Sequence, residues 1–256
     1  FRKIRLNWYA VQLLLARAEL YRGNKSDALS AARNVIDAQE KWFSWVNRQN
    51  ISSGKEDADR IFFDEIVFGL RNTKISKLYT SYFNGNTLSS EMLLAPLNSQ
   101  VLKIFENNRD DYRYVASFST QLTVGGAAYN LFEKFKSTVD SLSSNLMPML
   151  RISEAYYIAA ECEPEPEDGM QWLNQVLVHR GVKEITNSSL LASTLEKEYI
   201  REFFGEGQLF YYYKRLKYNE INDADDPLYV SVRTMGLAEY QVQLPESESK
   251  YNDMYN

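Results

Sequence analysis

The stretch Leu195-Glu-Lys-Glu-Tyr-Ile-Arg-Glu-Phe-Phe-Gly-Glu-Gly-Gln-Leu-Phe-Tyr-Tyr-Tyr-Lys-Arg-Leu216 decides how this chain is read. Taken as helix, Leu195, Tyr199 and Phe203 stack at i, i+4 and i+8 on one face. Gly205 and Gly207 interrupt the pattern, because glycine most easily takes the left-handed turn that ends a helix. Beyond them Leu209, Tyr212, Tyr213 and Leu216 recur at i, i+3, i+4 and i+7, which predicts a second short amphipathic helix. Glu198, Glu202 and Glu206 share a face of the first helix, with Lys197, Arg201, Lys214 and Arg215 nearby in sequence. Ion pairs that hold a helix–Gly–helix hinge explain these charges more simply than a catalytic acid pair.

Moving outward, residues 150–180 read as a helical pair. Ile152, Ala155 and Ala159 line one helix; Leu173, Val176 and Leu177 line the other. Between them Glu161-Cys-Glu-Pro-Glu-Pro-Glu-Asp168 carries two prolines and five acids, which cannot continue a helix. Its spacing does not match an EF-hand loop, so it reads as a solvated linker. Residues 4–40 read as a helical hairpin. Leu6, Ala10, Leu13, Leu14, Leu20 and Tyr21 define one face of its first helix, and Val11, Leu15 and Ala18 make the other side apolar too. Gly23 is placed to end that helix, and Asn24, with Asp27 three on, to cap the next, whose apolar face is Ala28, Leu29, Ala32, Val35 and Ile36. Ala16 and Ala28 are 12 apart, the spacing of small residues where tetratricopeptide (TPR) helices touch.

Residues 41–147 are less regular. Trp42 and Trp45 suggest a packing pair on a helix face, and Ile61–Leu70 a strand. Val101, Leu102 and Phe105 suggest a short helix. Tyr112–Phe118 and Tyr129–Phe135 are predicted to pair around Gly125-Gly126. Residues 219–238 read as a loop rich in Asn and Asp, in which Asp223, Asp225 and Asp226 are expected to cap or bind water. The fold class is mainly α: TPR-like helical hairpins with a long irregular insertion containing a few short strands.

With 256 residues, 45% hydrophobic and 25% charged, the chain is long enough to bury a large core. A net charge of −5 without a Lys/Arg block argues against a nucleic-acid partner. Cys162 is alone, which excludes a disulfide framework and a thiolate metal cluster. No metal or cofactor is expected. His179 is the single histidine and stands beside Arg180-Gly181 at a helix end, where it is expected to bind carbonyls rather than to serve in a triad. No run of 18 apolar residues is present. The chain begins Phe1-Arg2-Lys3 without Met, which suggests a fragment or a processed product.

Aromatic density stands out: 18 Tyr, 13 Phe and 4 Trp. A sugar ring exposes apolar C–H faces and polar edges, so a binder needs aromatic platforms among amides and charges. Tyr79 and Tyr82 lie in Lys77–Asn86 beside amides and a glycine, and Tyr112 and Tyr114 stand beside Asp110 and Asp111. These four, expected in polar loops, are the candidate ligand-binding residues; no catalytic residue is assigned.

Three segments together resemble one family. Arg201, Glu202, Phe203, Glu206, Gly207, Phe210, Lys214 and Arg215 fill most of the pattern of the closing helices of RagB/SusD-type proteins, although Gln208 stands where Arg is common and Tyr212 where Asp is frequent. Arg151–Tyr156 with Ala159-Ala160-Glu161, Leu173–Val176 and Arg180-Gly181-Val182 is similar to the family's third helical pair. Tyr240–Glu246 with Glu248 and Asn252 resembles its terminal motif. The resemblance implies the later half of a SusD-like α-superhelix, a single region over 1–256: hairpin 4–40, insertion 41–147, pair 150–180, and hinge with terminal motif 190–252. It further implies a surface-exposed outer-membrane lipoprotein of the Bacteroidetes type, lipid-anchored through a segment outside this chain. Such proteins capture oligosaccharides, sometimes peptides, without cleaving them, for a partner SusC-like TonB-dependent transporter. A TPR-like protein-interaction scaffold without a carbohydrate role is the alternative, and a helical glycosidase ranks below both.

Overall fold

The computed structural model describes residues 2–51, 56–86, 88–89, 92–140, 142–223, 231–242 and 245. It divides into two compact units, Phe1–Glu202 and Phe203–Asn256. The boundary falls inside the helix–Gly–helix stretch, at the end of its first helix. Most of the terminal motif after Tyr240 lies outside the described residues.

The first unit is organised by two helical hairpins. Helix α1 (Trp8–Arg22) starts where the Asn7 side chain accepts the Ala10 N–H, and ends at Gly23, whose φ is +86°. There the Asn24 N–H reaches the Glu19 carbonyl at 2.8 Å and the Gly23 N–H the Leu20 carbonyl at 3.1 Å, a glycine-terminated Schellman turn. Helix α2 (Lys25–Ile36) follows at once. Asn24 does not cap it as expected; its amide instead turns back to donate to Glu19 Oε2 at 2.5 Å. Ala10, Leu13, Ala16 and Leu20 of α1 are buried against α2, which contributes Ala28, Ala31, Ala32, Val35 and Ile36. The other side of α1, with Trp8, Val11, Leu14, Leu15 and Tyr21, is apolar and exposed.

Helices α7 (Ile152–Cys162) and α8 (Pro166–His179) form the second hairpin, and α2 packs on α7, so the four helices stack in the order α1, α2, α7, α8. The break between α7 and α8 is short, because Pro166 takes the first position of α8, where its missing N–H costs nothing. Gly169 lets the two helices approach: a Cβ there would lie 2.5 Å from the Ala160 carbonyl oxygen and 2.9 Å from Leu191 Cδ2. In an open helix Gly→Ala stabilises by ~1 kcal/mol. Here overpacking of ~1–3 kcal/mol is expected to win. Gly169→Ala is therefore predicted to lower the melting temperature; a raised one would show that this contact does not exist.

The insertion contains α3 (Gln39–Trp42), β1 (Ile66–Arg71), α4 (Ile75–Tyr82), α5 (Asn98–Ile104), α6 (Tyr112–Ser117), β2 (Phe118–Val124), β3 (Ala127–Phe132) and β4 (Leu146–Arg151). The expected hairpin around Gly125-Gly126 forms between β2 and β3. Tyr112–Ser117, however, is helix, not strand, because the Asp111 carboxylate caps it by accepting the Arg113 N–H at 2.9 Å. Lys77–Tyr82 is likewise helical: Ile75 and Tyr79, an i, i+4 pair, are both buried. Trp42 and Trp45 do not pack as a pair; Trp42 is exposed and Trp45 stacks on His179. Strand β1 pairs antiparallel with β4, with Ile66 opposite Arg151. That register brings Glu65 and Arg151 to the root of α7. Helix α9 (Leu191–Glu202) closes the unit against α7 and α8.

In the second unit Gly205 and Gly207 both take φ of +73°, as the sequence required of a break. Helix α10 (Leu209–Leu216) follows, then a small pair of β5 (Glu220–Asn222) with β6 (Val232–Thr234). Tyr240 donates its hydroxyl to the Tyr218 carbonyl at 2.8 Å and packs on Phe210, with ring centroids 5.8 Å apart. Asp223 lies 3.4 Å from Arg233; Asp225 and Asp226 fall outside the described residues.

Candidate functional site

Two acids of α9, Glu198 and Glu202, occupy a buried ion network. Arg180 donates to Glu65 at 2.8 and 2.5 Å and to both oxygens of Glu202 at 3.0 Å. Glu202 also accepts from Arg151 at 3.1 Å and Ser153 at 2.8 Å. Arg113 bridges Asp111, at 2.9 and 2.6 Å, and Glu198, at 2.7 and 3.0 Å. Arg201 adds a 3.0 Å bond to Glu198. The expected i, i+3 pairing of Glu198 with Arg201 is present, but the main partners come from residues 113, 151 and 180, far along the chain. Burial raises the Glu202 carboxyl, but Arg180, Arg151 and Arg113 outweigh it and hold it well below the usual range. Carboxylates so enclosed and so fully bonded have no room for a sugar: the cavity beside Glu202 measures about 10 Å³, the space of a single water.

The network sets an acid limit. A carboxyl with a depressed folded pKa contributes stability that is present above its ordinary value of 4.5 and is lost as pH falls through the folded value. Asp59 acts in the opposite sense. Burial pushes it up to about 6 from 3.8, so stability is lost as pH rises through that window. The urea midpoint is therefore expected to rise slightly from pH 7 to 5 and to collapse below about 4. A midpoint that stays flat to pH 3 would contradict the network's role.

The four tyrosines singled out from the sequence occupy unlike settings. Tyr79 is 9% exposed on α4, and burial pushes its phenol up to about 12. Tyr82, at the end of α4, is 48% exposed and presents an open ring. Tyr112 is half-buried on α6 against Val46, Ile51, Phe62 and Ala116, with Arg48 5.9 Å from its ring. Tyr114 joins an aromatic cluster with Phe105 and Phe118, at centroid distances of 5.6 and 5.7 Å. The structure brings Tyr79 and Tyr82 onto one short helix and Tyr112 and Tyr114 onto another.

A groove with the composition sought in those loops lies instead on the helical stack. It encloses about 410 Å³ and runs between α2, α7 and α8. Helix α8 presents Asp168, Gln171, Trp172 and Gln175 to it at i, i+3, i+4 and i+7, on the side away from buried Leu173, Val176 and Leu177. Tyr156 of α7 forms part of the floor and Arg33 of α2 the opposite wall. Trp172 is fixed by three contacts: its indole N–H donates to Glu163 at 2.7 Å, its ring meets Tyr156 edge-on at 5.8 Å, and the Arg33 guanidinium lies 6.0 Å from the ring centroid. The aromatic chain continues inward. Tyr156 packs on Trp45 at 5.2 Å, Trp45 stacks on His179 at 4.7 Å, and the Arg180 guanidinium lies 5.6 Å from the Trp45 ring. His179 Nδ1 is 2.7 Å from the Gln175 carbonyl oxygen, the helix-end role expected of it. The groove floor is thus tied to the buried ion network. Burial, with the Glu40 and Asp37 charges, pushes the Tyr156 phenol up to about 12, so its hydroxyl stays neutral.

The helical pair expected over 150–180 is present as α7 and α8, and it carries a groove besides core. The missed signal was a tryptophan on the polar face of α8, flanked by glutamines one position before and three after.

The SusD family model matches residues 100–254. No curated protein matches the chain. Among solved structures, it is similar to a SusD-like carbohydrate binding protein from Bacteroides vulgatus ATCC 8482, with 17% identity and a TM-score of 0.66 over 98% of this chain and 59% of that one. It is also similar to a SusD superfamily protein from Bacteroides thetaiotaomicron VPI-5482, with 21% identity and a TM-score of 0.63 over 82% and 50%. A third, a SusD superfamily protein from Parabacteroides distasonis ATCC 8503, gives 15% identity and a TM-score of 0.64 over 98% and 62%. The chain thus spans 50% to 62% of the length of these structures. At such identities the likeness is one of fold.

Proposed function

The chain belongs to the SusD family, and on that premise we propose that it binds oligosaccharides without cleaving them. The observation that carries the reading is the groove beside Trp172: a fixed indole, a neutral tyrosine and two glutamine amides around one concavity. Aromatic faces suit the apolar faces of a pyranose and amides suit its hydroxyls. The acids that would serve a hydrolase are buried against arginines, which supports capture without cleavage. The resemblance extends the proposal to delivery into a SusC-like TonB-dependent transporter at the outer-membrane surface, with lipid anchoring outside this chain. Of the insertion tyrosines Tyr79, Tyr82, Tyr112 and Tyr114 proposed as ligand contacts, the exposed ring of Tyr82 is the one that supports a second stacking surface.

Probing an array of immobilised oligosaccharides with this chain tests the reading. Binding that survives Tyr79→Phe and weakens in Trp172→Ala is the expected result; release of reducing ends from any bound sugar would overturn non-catalytic capture. One observation favours the scaffold reading as the alternative: the apolar, exposed side of α1. A chain that binds no sugar on the array but is retained by another polypeptide through Trp8 and Leu15 would favour it.

A further inference from the structure

We propose that the groove selects uncharged oligosaccharides over anionic ones, and that Glu163 enforces the choice. The inference rests on the reading of the groove as a sugar site. Arg33 is the cation among the described lining residues. It is half exposed and would be available to a uronate or sulfate, but Glu163 Oε1 holds its Nη2 at 2.5 Å. Glu163 is only 5% exposed at its side chain, so this pairing is poorly screened by solvent. The same oxygen accepts the Trp172 indole N–H at 2.7 Å. One carboxylate therefore cancels the cation and positions the ring.

What remains uncommitted is neutral or acidic. The side chains of Gln171 and Gln175 and the carboxylate of Asp168 make no hydrogen bond within the described protein and line the same space. Of the acids of the α7–α8 break and the first turn of α8, Glu163 and Asp168 line the groove itself. An anionic sugar entering here meets like charge with no free guanidinium to offset it. A neutral sugar meets two amides, a carboxylate acceptor and an aromatic ring.

Glu163 is thus a positioning and selectivity residue, and a conservative change should reverse its effect. In Glu163→Gln the amide oxygen still accepts the indole N–H, but Arg33 is left with its charge uncompensated. Binding to neutral and to uronic-acid oligosaccharides of equal length, immobilised side by side, is compared for the parent chain, Glu163→Gln, Glu163→Gln with Arg33→Gln, and Asp168→Asn. The parent is expected to bind neutral sugars more tightly than oligogalacturonate. Glu163→Gln is expected to gain oligogalacturonate binding by about fivefold, the scale of one partly exposed ion pair, and to lose that gain as salt is raised. The double variant should lose the gain. Asp168→Asn, at an exposed position in the first turn of α8, should move binding in the same direction as Glu163→Gln and keeps the test decisive should that variant be unstable. A parent that binds oligogalacturonate at least as well as neutral sugars, through Trp172, overturns the selectivity and leaves the sugar site standing. A gain in Glu163→Gln that persists without Arg33 overturns the role of Glu163. Binding of neither class, or binding indifferent to Trp172→Ala, overturns the sugar reading itself.

Discussion

Replacing Arg180 with methionine is expected to destabilise the first unit by ~3–5 kcal/mol, the cost of stripping the partner from a buried charge. Arg180 is fully buried and is the residue that joins Glu65, before β1, to Glu202, at the end of α9. Its loss leaves two carboxylates in the interior. Glu202 retains Arg151 and Ser153, whereas Glu65 retains the Val46 N–H at 2.9 Å. Against a typical stability of ~5–15 kcal/mol, the variant is expected to unfold below body temperature or to express poorly. A second substitution separates this account from a loss of packing. Arg180→Met combined with Glu65→Leu should be more stable than Arg180→Met alone, because the orphaned charge is gone. Urea denaturation of the two variants checks it; equal midpoints would show that the ion pair is not what Arg180 contributes.

Trp172→Ala is expected to have the largest effect on binding. An aromatic anchor in the centre of a site is worth ~2–4 kcal/mol, which is a loss of roughly 30- to 1,000-fold in affinity. The fold should survive, since Leu173, Val176 and Leu177 make the buried face of α8 and Trp172 does not. Circular dichroism and the melting temperature are expected to stay near those of the parent. Gln171→Ala and Gln175→Ala each remove one hydrogen-bonding group, so each is expected to cost ~1 kcal/mol. Binding that falls in the glutamine variants but not in Trp172→Ala would mean that the ring is cover for Tyr156 and not a platform.

The helical frame was legible because it is set by local periodicity. Ala10, Leu13 and Ala16, then Ala28, Ala32 and Val35, recur at helical spacing, and Gly23, Gly205 and Gly207 sit where the backbone turns left-handed. The α6 and α4 segments were misjudged for opposite reasons. Tyr112–Ser117 alternates like a strand, but the Asp111 cap decides for helix. Lys77–Tyr82 reads as polar, but two buried residues four apart suffice to hold a short helix against the body. The ion network was half legible. The charges on α9 were evident, yet Glu65, Arg151 and Arg180 reach them through the β1–β4 ladder and the α7–α8 hairpin, and Arg113 through α6, whose Tyr112 N–H bonds the Arg180 carbonyl at 2.9 Å, pairings that no local pattern encodes. The groove was hidden for the same reason. Arg33 and Trp172 are brought to one carboxylate by the packing of α2 on α7, and loop tyrosines drew attention because polarity is visible in sequence while concavity is not.

An oligosaccharide is expected to be held in the Trp172 groove and to leave it intact. Titration calorimetry of the parent and Trp172→Ala with the strongest neutral sugar from the array, followed by chromatography of the recovered sugar, tests it most directly. Measurable binding by the parent, loss of roughly 30-fold or more in the variant, and sugar recovered at its original length are expected. Equal affinity in the two proteins, or shortened sugar after incubation with the parent, would contradict it.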